Sequence, residues 1–246
     1  MTADFGCNVG IINLWEGVKS KIQLSSQNLP KHVAIILDGC EEYAQKNNTP
    51  LTEAYKTEFL NIKNAIKVGT KLNIPIMTFF SRTTKPAEEE TDQLVEFFNL
   101  LLNWDLIHQN QIKISVLGKW YKLPDRLVEP IKKIISDTKE YDKFFINFCI
   151  QYNGQEEIVD ACRLITQQVK LEKITPENID KALVKENIYA SYFMPPDLMI
   201  VSGNKKTTGG LLLWDSAETK IHFTGINWPE FGREDFLKSL VFYQSA

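Results

Sequence analysis

The sequence predicts an α/β domain with a mostly parallel central sheet and helices on both faces. Two observations carry this. Short apolar runs alternate with amphipathic stretches of helical period along the chain. That is the pattern of strand–helix–strand units whose strands are covered on both sides. The chain also has 246 residues, 43% of them hydrophobic, which is ample for one core. No internal repeat or low-complexity linker divides it. We therefore expect an N-terminal helical segment over residues 1–30 and a single domain over 31–246.

The elements follow in order. Val33–Leu37 is an unbroken apolar run and reads as a buried strand. Tyr55, Phe59, Ile62 and Ile66 recur at helical spacing. Ile74–Phe80 is the next strand, entered through Asn73-Ile74-Pro75. Thr91–His108 reads as one helix so rich in Leu, Phe and Trp that almost no polar face remains, which implies burial on several sides. Ile112–Leu117 is a strand, and Leu127, Ile131 and Ile134 mark a helix. Phe144–Ile150 is a strand and Glu156–Val169 a helix. Thr175-Pro176-Glu177-Asn178 is a helix start, with an N-cap threonine, proline at the first helical position and an acid in the first turn. Leu198–Val201 and Lys220–Thr224 are late strands, and Glu234–Tyr243 is a closing helix.

The net charge of −3 argues against a general nucleic-acid binder, which shows a basic excess on one face. Cys7, Cys40, Cys149 and Cys162 have no CxxC spacing. They read as free thiols in a reducing cytosol. No apolar run reaches the ~18 residues of a membrane span, and no export signal is evident. Ile11, Leu14, Trp15, Val18 and Ile22 share one helical face. A short helix packed on the domain is the plain reading, and a membrane-surface contact through residues 11–22 is the alternative.

The order of segments then becomes informative. His32–Gly39 reads HVAIILDG, Phe80-Ser81 follows, and Gln151–Ile158 reads QYNGQEEI. Pro196–Ile200 with Leu212-Leu213-Trp214 comes next, then Phe223-Thr224 with Trp228–Phe231. In this order the segments resemble the motifs of the cis-prenyltransferases, the family of undecaprenyl diphosphate synthase, from about His32 to Tyr243. The resemblance implies an α/β fold with an apolar tunnel beside the sheet and a homodimer or heterodimer. It also implies condensation of isopentenyl diphosphate onto an allylic diphosphate with Mg²⁺. Asp38 falls on the metal-binding aspartate and is the catalytic candidate. Holding two diphosphates needs backbone amides, several arginines and carboxylates.

The chain departs from the family at nearly all of those groups. Where the family reads Asn-Gly-Arg-Trp, it has Cys40, Glu41, Glu42 and Tyr43. A further arginine falls near Leu51, and a Gly-His pair falls on Ala54 and Tyr55. The two diphosphate-binding arginines fall on Val201 and Thr207, a serine on Gly209, and the acid completing the metal site on Lys220. The chain ends Tyr243-Gln244-Ser245-Ala246 in place of an Arg-x-Gly tail. Two unit charges about 5 Å apart interact by roughly 3 kcal/mol at an effective dielectric near 20, and each ~1.4 kcal/mol is tenfold in affinity. Exchanging one arginine for Glu42 therefore reverses several kcal/mol towards a diphosphate.

Other residues offer compensation. Gly39, Arg82, Lys85, Ser202, Lys205 and Lys206 lie in loops that the resemblance puts near substrate, and Lys205-Lys206 sits in a Gly- and Thr-rich loop suited to anions. An ordinary solvated loop is the plain reading. Asp38, Glu41 and Glu42 supply hard oxygen ligands for Mg²⁺, or else two of them are acids favoured at a helix N-terminus. His32 reads as structural, and His108 and His222 have no partner at zinc spacing. Cys40, without an evident catalytic partner, reads as an inert thiol.

The leading expectation is the non-catalytic or impaired subunit of a heteromeric polyprenyl diphosphate synthase. One alternative is a repurposed enzyme acting on a prenyl diphosphate by cyclisation or unusual condensation, with Mg²⁺ on Asp38, Glu41 and Glu42. The other is a prenyl-lipid binding protein whose cavity is walled by the Thr91–His108 helix.

Overall fold

The computed structural model describes residues 24, 25, 27–81 and 86–245. The expected helical face at Ile11–Ile22 lies outside the described residues, as do Arg82 and Lys85.

Six strands form one sheet: β1 His32–Leu37, β2 Ile76–Ser81, β3 Ile112–Leu117, β4 Phe144–Cys149, β5 Leu198–Val201 and β6 Lys220–Phe223. Their spatial order is β3-β4-β2-β1-β5-β6, and every pairing is parallel. Among the described residues eight helices accompany them: α1 Cys40–Asn47, α2 Leu51–Lys71, α3 Glu88–Leu102, α4 Asp105–Gln109, α5 Asp125–Asp137, α6 Gly154–Lys170, α7 Lys181–Asn187 and α8 Arg233–Ser245.

The period of two along each strand divides the core into two layers. Val33, Ile35 and Leu37 face a large cluster shared with α2, α3, α5 and α8. Ala34 and Ile36 face a smaller one built with Tyr152, Ala161 of α6 and Phe193. Strand β1 is thus buried on both faces and paired on both edges. That explains why its sequence is a continuous apolar run and not an alternating one.

Two sequence expectations change. The stretch Thr91–His108 is two helices, broken at Asn103-Trp104. Its first part is amphipathic: Phe97, Phe98 and Leu101 are buried, whereas Asp92, Glu96, Asn99 and Leu100 face out, with Leu100 56% exposed. The turn at Thr175 makes its capping box but winds only one 3₁₀ turn, Pro176–Asn178. The helix of that region starts at Lys181, where the Asp180 carboxylate accepts the Leu183 amide at 2.8 Å.

His32 ties the layers together. Its Nδ1 lies 2.7 Å from the Met194 carbonyl and its Nε2 lies 2.8 Å from Thr78 Oγ1, which also accepts from Asn147 Nδ2 at 3.1 Å. An Nδ1–H tautomer satisfies all three contacts. Burial pushes this imidazole down to about 4. Replacing His32 by alanine strands Thr78 and the Met194 carbonyl, at a cost of about 2 kcal/mol. A urea melt at neutral pH in which His32→Ala matches the parent would contradict this role.

Candidate functional site

In an open parallel sheet, ligands bind beyond the carboxyl ends of the strands where the strand order reverses. Here β1 has β2 on one side and β5 on the other, so the crevice opens at Asp38. A serine latch fixes its floor. Ser202, fully buried, donates its hydroxyl to the Ile36 carbonyl at 2.7 Å and accepts the Asp38 amide at 2.9 Å. The Asp38 carbonyl in turn accepts the Trp228 amide at 2.8 Å, and Gly203 donates to the Ile226 carbonyl at 2.7 Å.

Gly39 turns the chain into α1 with φ of 100°. A side chain there would meet Asn227 Oδ1 at 2.3 Å as well as strained backbone, so only glycine fits. Its amide donates to Asp38 Oδ1 at 3.1 Å. Lys205 reaches the same oxygen at 3.2 Å.

These groups line a mouth of about 200 Å³ together with Cys40, Glu41, Glu42, Tyr55, Glu58 and Ser81. The structure therefore places Asp38, Gly39, Glu41, Glu42 and Lys205 around one space. Ser202 and Lys206 are placed elsewhere. Ser202 serves the latch beneath the mouth, and the Lys206 ammonium lies over the Phe223 ring at 5.7 Å.

The three acids of the metal reading form no ready-made cage. Mg²⁺ asks for hard oxygens in near-octahedral array. Among the described residues no three His, Cys, Asp or Glu side chains stand together to hold one. Glu41 and Glu42 are exposed in the first turn of α1, where the helix dipole favours acids. Val201 and Lys220 have structural surroundings. Val201 is fully buried between Ile36 and Phe223 on the sheet. Lys220 donates to the Tyr243 carbonyl at 3.0 Å and sits 4.8 Å from its ring centroid, pinning β6 to α8.

Sequence reasoning missed two acids. Glu58 and Glu90 are 7% and 6% exposed, and both line a narrow apolar slot walled by Phe59, Phe79, Phe97 and Phe148. Glu58 also lines the mouth, so it forms the neck between the two spaces. The Cys40 thiol donates to Glu58 Oε2 at 2.7 Å. Cys40 thus has a partner, although not one that frees its thiolate: burial pushes the thiol up, and the Glu58 charge adds to it. Burial also lifts Glu58 to about 7, partly offset by the Cys40 hydrogen bond and reinforced by Glu90 and Asp38. A signal was present. Ala54, Glu58 and Ile62 recur every four residues on the inward face of α2, and Glu90, Leu94 and Phe97 follow at steps of four and three on α3. A carboxylate at a core-facing position needs a reason.

The slot holds only about 40 Å³ of open space, enough for a few waters. The expected apolar tunnel beside the sheet corresponds in this conformation to this narrow slot.

Comparison with known proteins agrees with the fold. Residues 36–246 match the family model described as "Putative undecaprenyl diphosphate synthase". The chain belongs to this family of cis-prenyltransferases. It is 31% identical over 246 aligned positions to a tritrans,polycis-undecaprenyl-diphosphate synthase (geranylgeranyl-diphosphate specific) of Methanocaldococcus jannaschii, covering 96% of this chain and 88% of the relative. An isoprenyl transferase of Prochlorococcus marinus is 31% identical, covering 91% of this chain and 84% of the relative. The crystal structure of lavandulyl diphosphate synthase from Lavandula x intermedia with dimethylallyl diphosphate superposes with a TM-score of 0.83 at 26% identity, covering 89% of this chain and 96% of that one.

Two of the buried titrating groups, Glu58 and His32, impose opposite pH slopes. Glu58, held near 7 against an ordinary 4.5, binds its proton more tightly folded than unfolded. Its burial therefore costs stability as pH rises through that interval, about 3 kcal/mol in all. His32, held near 4 against 6.5, costs stability as pH falls through its own interval. Between about pH 4.5 and 6.5 the slopes oppose each other. Glu58→Gln removes one of them. Its unfolding free energy should climb with pH by roughly 1.4 kcal/mol per unit more than the parent's. Equal slopes in urea titrations across this range would mean that Glu58 is not protonated in the fold.

Proposed function

We propose that this chain is the impaired subunit of a heteromeric polyprenyl diphosphate synthase, assembled with a cis-prenyltransferase that carries the diphosphate chemistry. The observation that carries the reading is Val201. A position that falls on a diphosphate-binding arginine of the family is a fully buried core residue here. An arginine introduced there would have to displace the packing around β5, which lies between β1 and β6. Three further features support the reading. Asp38 is engaged by Lys205. Lys220 is committed to α8. The slot is too narrow for a growing chain. What persists is the frame, namely the six-stranded sheet, the latch at Ser202 and the packed closing helix. A frame retained without its anion groups suits assembly better than catalysis.

The subunit reading is tested by co-expression with a cis-prenyltransferase encoded in the same genome. A stoichiometric complex should form, and it should make polyprenyl diphosphate faster than the partner alone. The single chain with isopentenyl and allylic diphosphates plus Mg²⁺ should be at least about 100-fold slower than the complex, matching the loss of roughly 3 kcal/mol or more of anion binding. Recovery of a homodimer only, with no captured partner, would sink the reading.

A second variant tests the irreversibility of the change at β5. Val201→Arg should lose about 3 kcal/mol of stability or more by placing an uncompensated charge in the core, and should not restore diphosphate binding. A variant that melts like the parent and gains affinity for an allylic diphosphate would show that the pocket still accepts the ancestral cation.

A further inference from the structure

The segment joining β5 to β6 is fastened at two places, one at the mouth and one in the layer of α6. At the mouth the chain lies flat against Asp38. Gly203 has φ of 72°, and a side chain there would meet Asp38 Cβ at 3.0 Å. Asn204, Lys205, Lys206 and Thr207 then run exposed to solvent. Lys205 is ion-paired with Asp38 Oδ1 at 3.2 Å, with its own side chain 58% exposed. A pair so open to water is a weak fastening.

The second fastening is buried. Gly209, Gly210 and Leu212 all adopt left-handed backbone, with φ of 60°, 81° and 45°. Glycine takes up that conformation freely, whereas leucine is strained in it. Leu212 is buried, and its amide donates to the Tyr152 hydroxyl at 3.2 Å. That hydroxyl donates to Glu157 Oε2, and Glu157 Oε1 accepts the Ala190 amide at 3.2 Å. Tyr152 and Glu157 are themselves buried. The Gly210 carbonyl packs so closely on Gly154 that a Cβ there would lie 2.1 Å from it. Just beyond, Asp215 accepts the Lys185 ammonium, which also donates to the Ala190 carbonyl at 2.9 Å. Strained backbone persists only where its surroundings over-determine it. At Leu212 the surroundings are a phenol locked onto a buried carboxylate.

We propose that residues 204–209 form a hinged strap at the mouth, closed in front by Lys205 on Asp38 and held shut from behind by the Tyr152–Glu157 pair through the strained turn at Leu212. Swinging about Gly203 and Gly210, the strap lifts Lys205 off Asp38 and widens the mouth. The contact of Lys205 with Asp38 is thus autoinhibitory, and the buried pair sets how often it breaks. This goes beyond the subunit role and does not depend on it, because every part of the device lies within one chain.

Limited trypsin digestion of the full chain reads the strap, because Lys205 and Lys206 lie in it. Cleavage there is compared with cleavage after Lys173, exposed in the turn that follows α6. Tyr152→Phe keeps the ring and removes the hydroxyl that holds the Leu212 amide. It should speed relative cleavage in the strap by roughly tenfold or more, since native-state proteolysis follows the population of the open form. Asp38→Asn should speed it by a smaller factor, and so should added salt in the parent, which screens the front pair. Thr138→Val controls for general loosening. It strands the buried Ile114 amide at the far edge of the sheet and should leave relative strap cleavage unchanged. Glu157→Gln keeps an oxygen for the Tyr152 hydroxyl and should fall between the parent and Tyr152→Phe. It also stands in for Tyr152→Phe where that variant does not fold. Three outcomes would overturn the proposal: unchanged strap cleavage in the rear variants, equal acceleration in Thr138→Val, or indifference to both Asp38→Asn and salt. Since digestion uses the single chain, any of these leaves the subunit reading standing. Failed partner capture with the expected cleavage pattern leaves the strap standing.

Discussion

Burial of β1 on both faces and both edges is the constraint from which the remaining geometry follows. A strand with neighbours on either side cannot slip by one residue without exchanging its two apolar sets between layers. Its end is therefore fixed, and the Ser202 hydroxyl, spanning the Ile36 carbonyl and the Asp38 amide, fastens that end to β5. Everything at the mouth hangs from this point. Gly39 turns there because Asn227 leaves no room for a side chain, α1 starts there, and Trp228 returns to the Asp38 carbonyl.

Such a frame explains how a binding site can be rewritten while the fold persists. The residues that hold β1 and β5 act through backbone groups and buried apolar contacts, whereas those that held an anion acted through charged tips. The second set can be replaced without disturbing the first. Val201 illustrates the exchange: as a valine it adds to the core on the α6 side of the sheet. Lys220 illustrates another, since its ammonium now links the edge strand to the closing helix. Glu58 and Glu90 stand beside an apolar wall.

Much of the fold was legible because it rests on periodicity. Strands such as Ile112–Leu117 and Leu198–Val201 are bounded in the structure as the sequence implied. Misreadings arose where local chemistry outweighs pattern. Asn103-Trp104 breaks a run of apolar residues, with Asn103 donating to the Asn99 carbonyl at 2.9 Å. Thr175 caps a turn too short to propagate. Half of the site was legible through Asp38, Gly39 and Lys205, which lie on loops that follow strands. Glu58 and Glu90 were not, because a carboxylate in a helix reads as solvated until the facing elements are known. Only the packing of α2 against α3 turns both inward.

The bond from Trp228 Nε1 to the Glu58 carbonyl gives the molecule an optical reporter. Trp228 is fully buried, stacked on Phe231 with ring centroids 4.9 Å apart, and attached to the residue at the neck. Trp104, Trp120 and Trp214 are partly open to solvent. An indole emits according to the field across its ring, so a charge gained or lost on Glu58 shifts the colour of the one tryptophan that is fully buried among the described residues. The protonation state of the neck is thereby readable as light from the unlabelled chain.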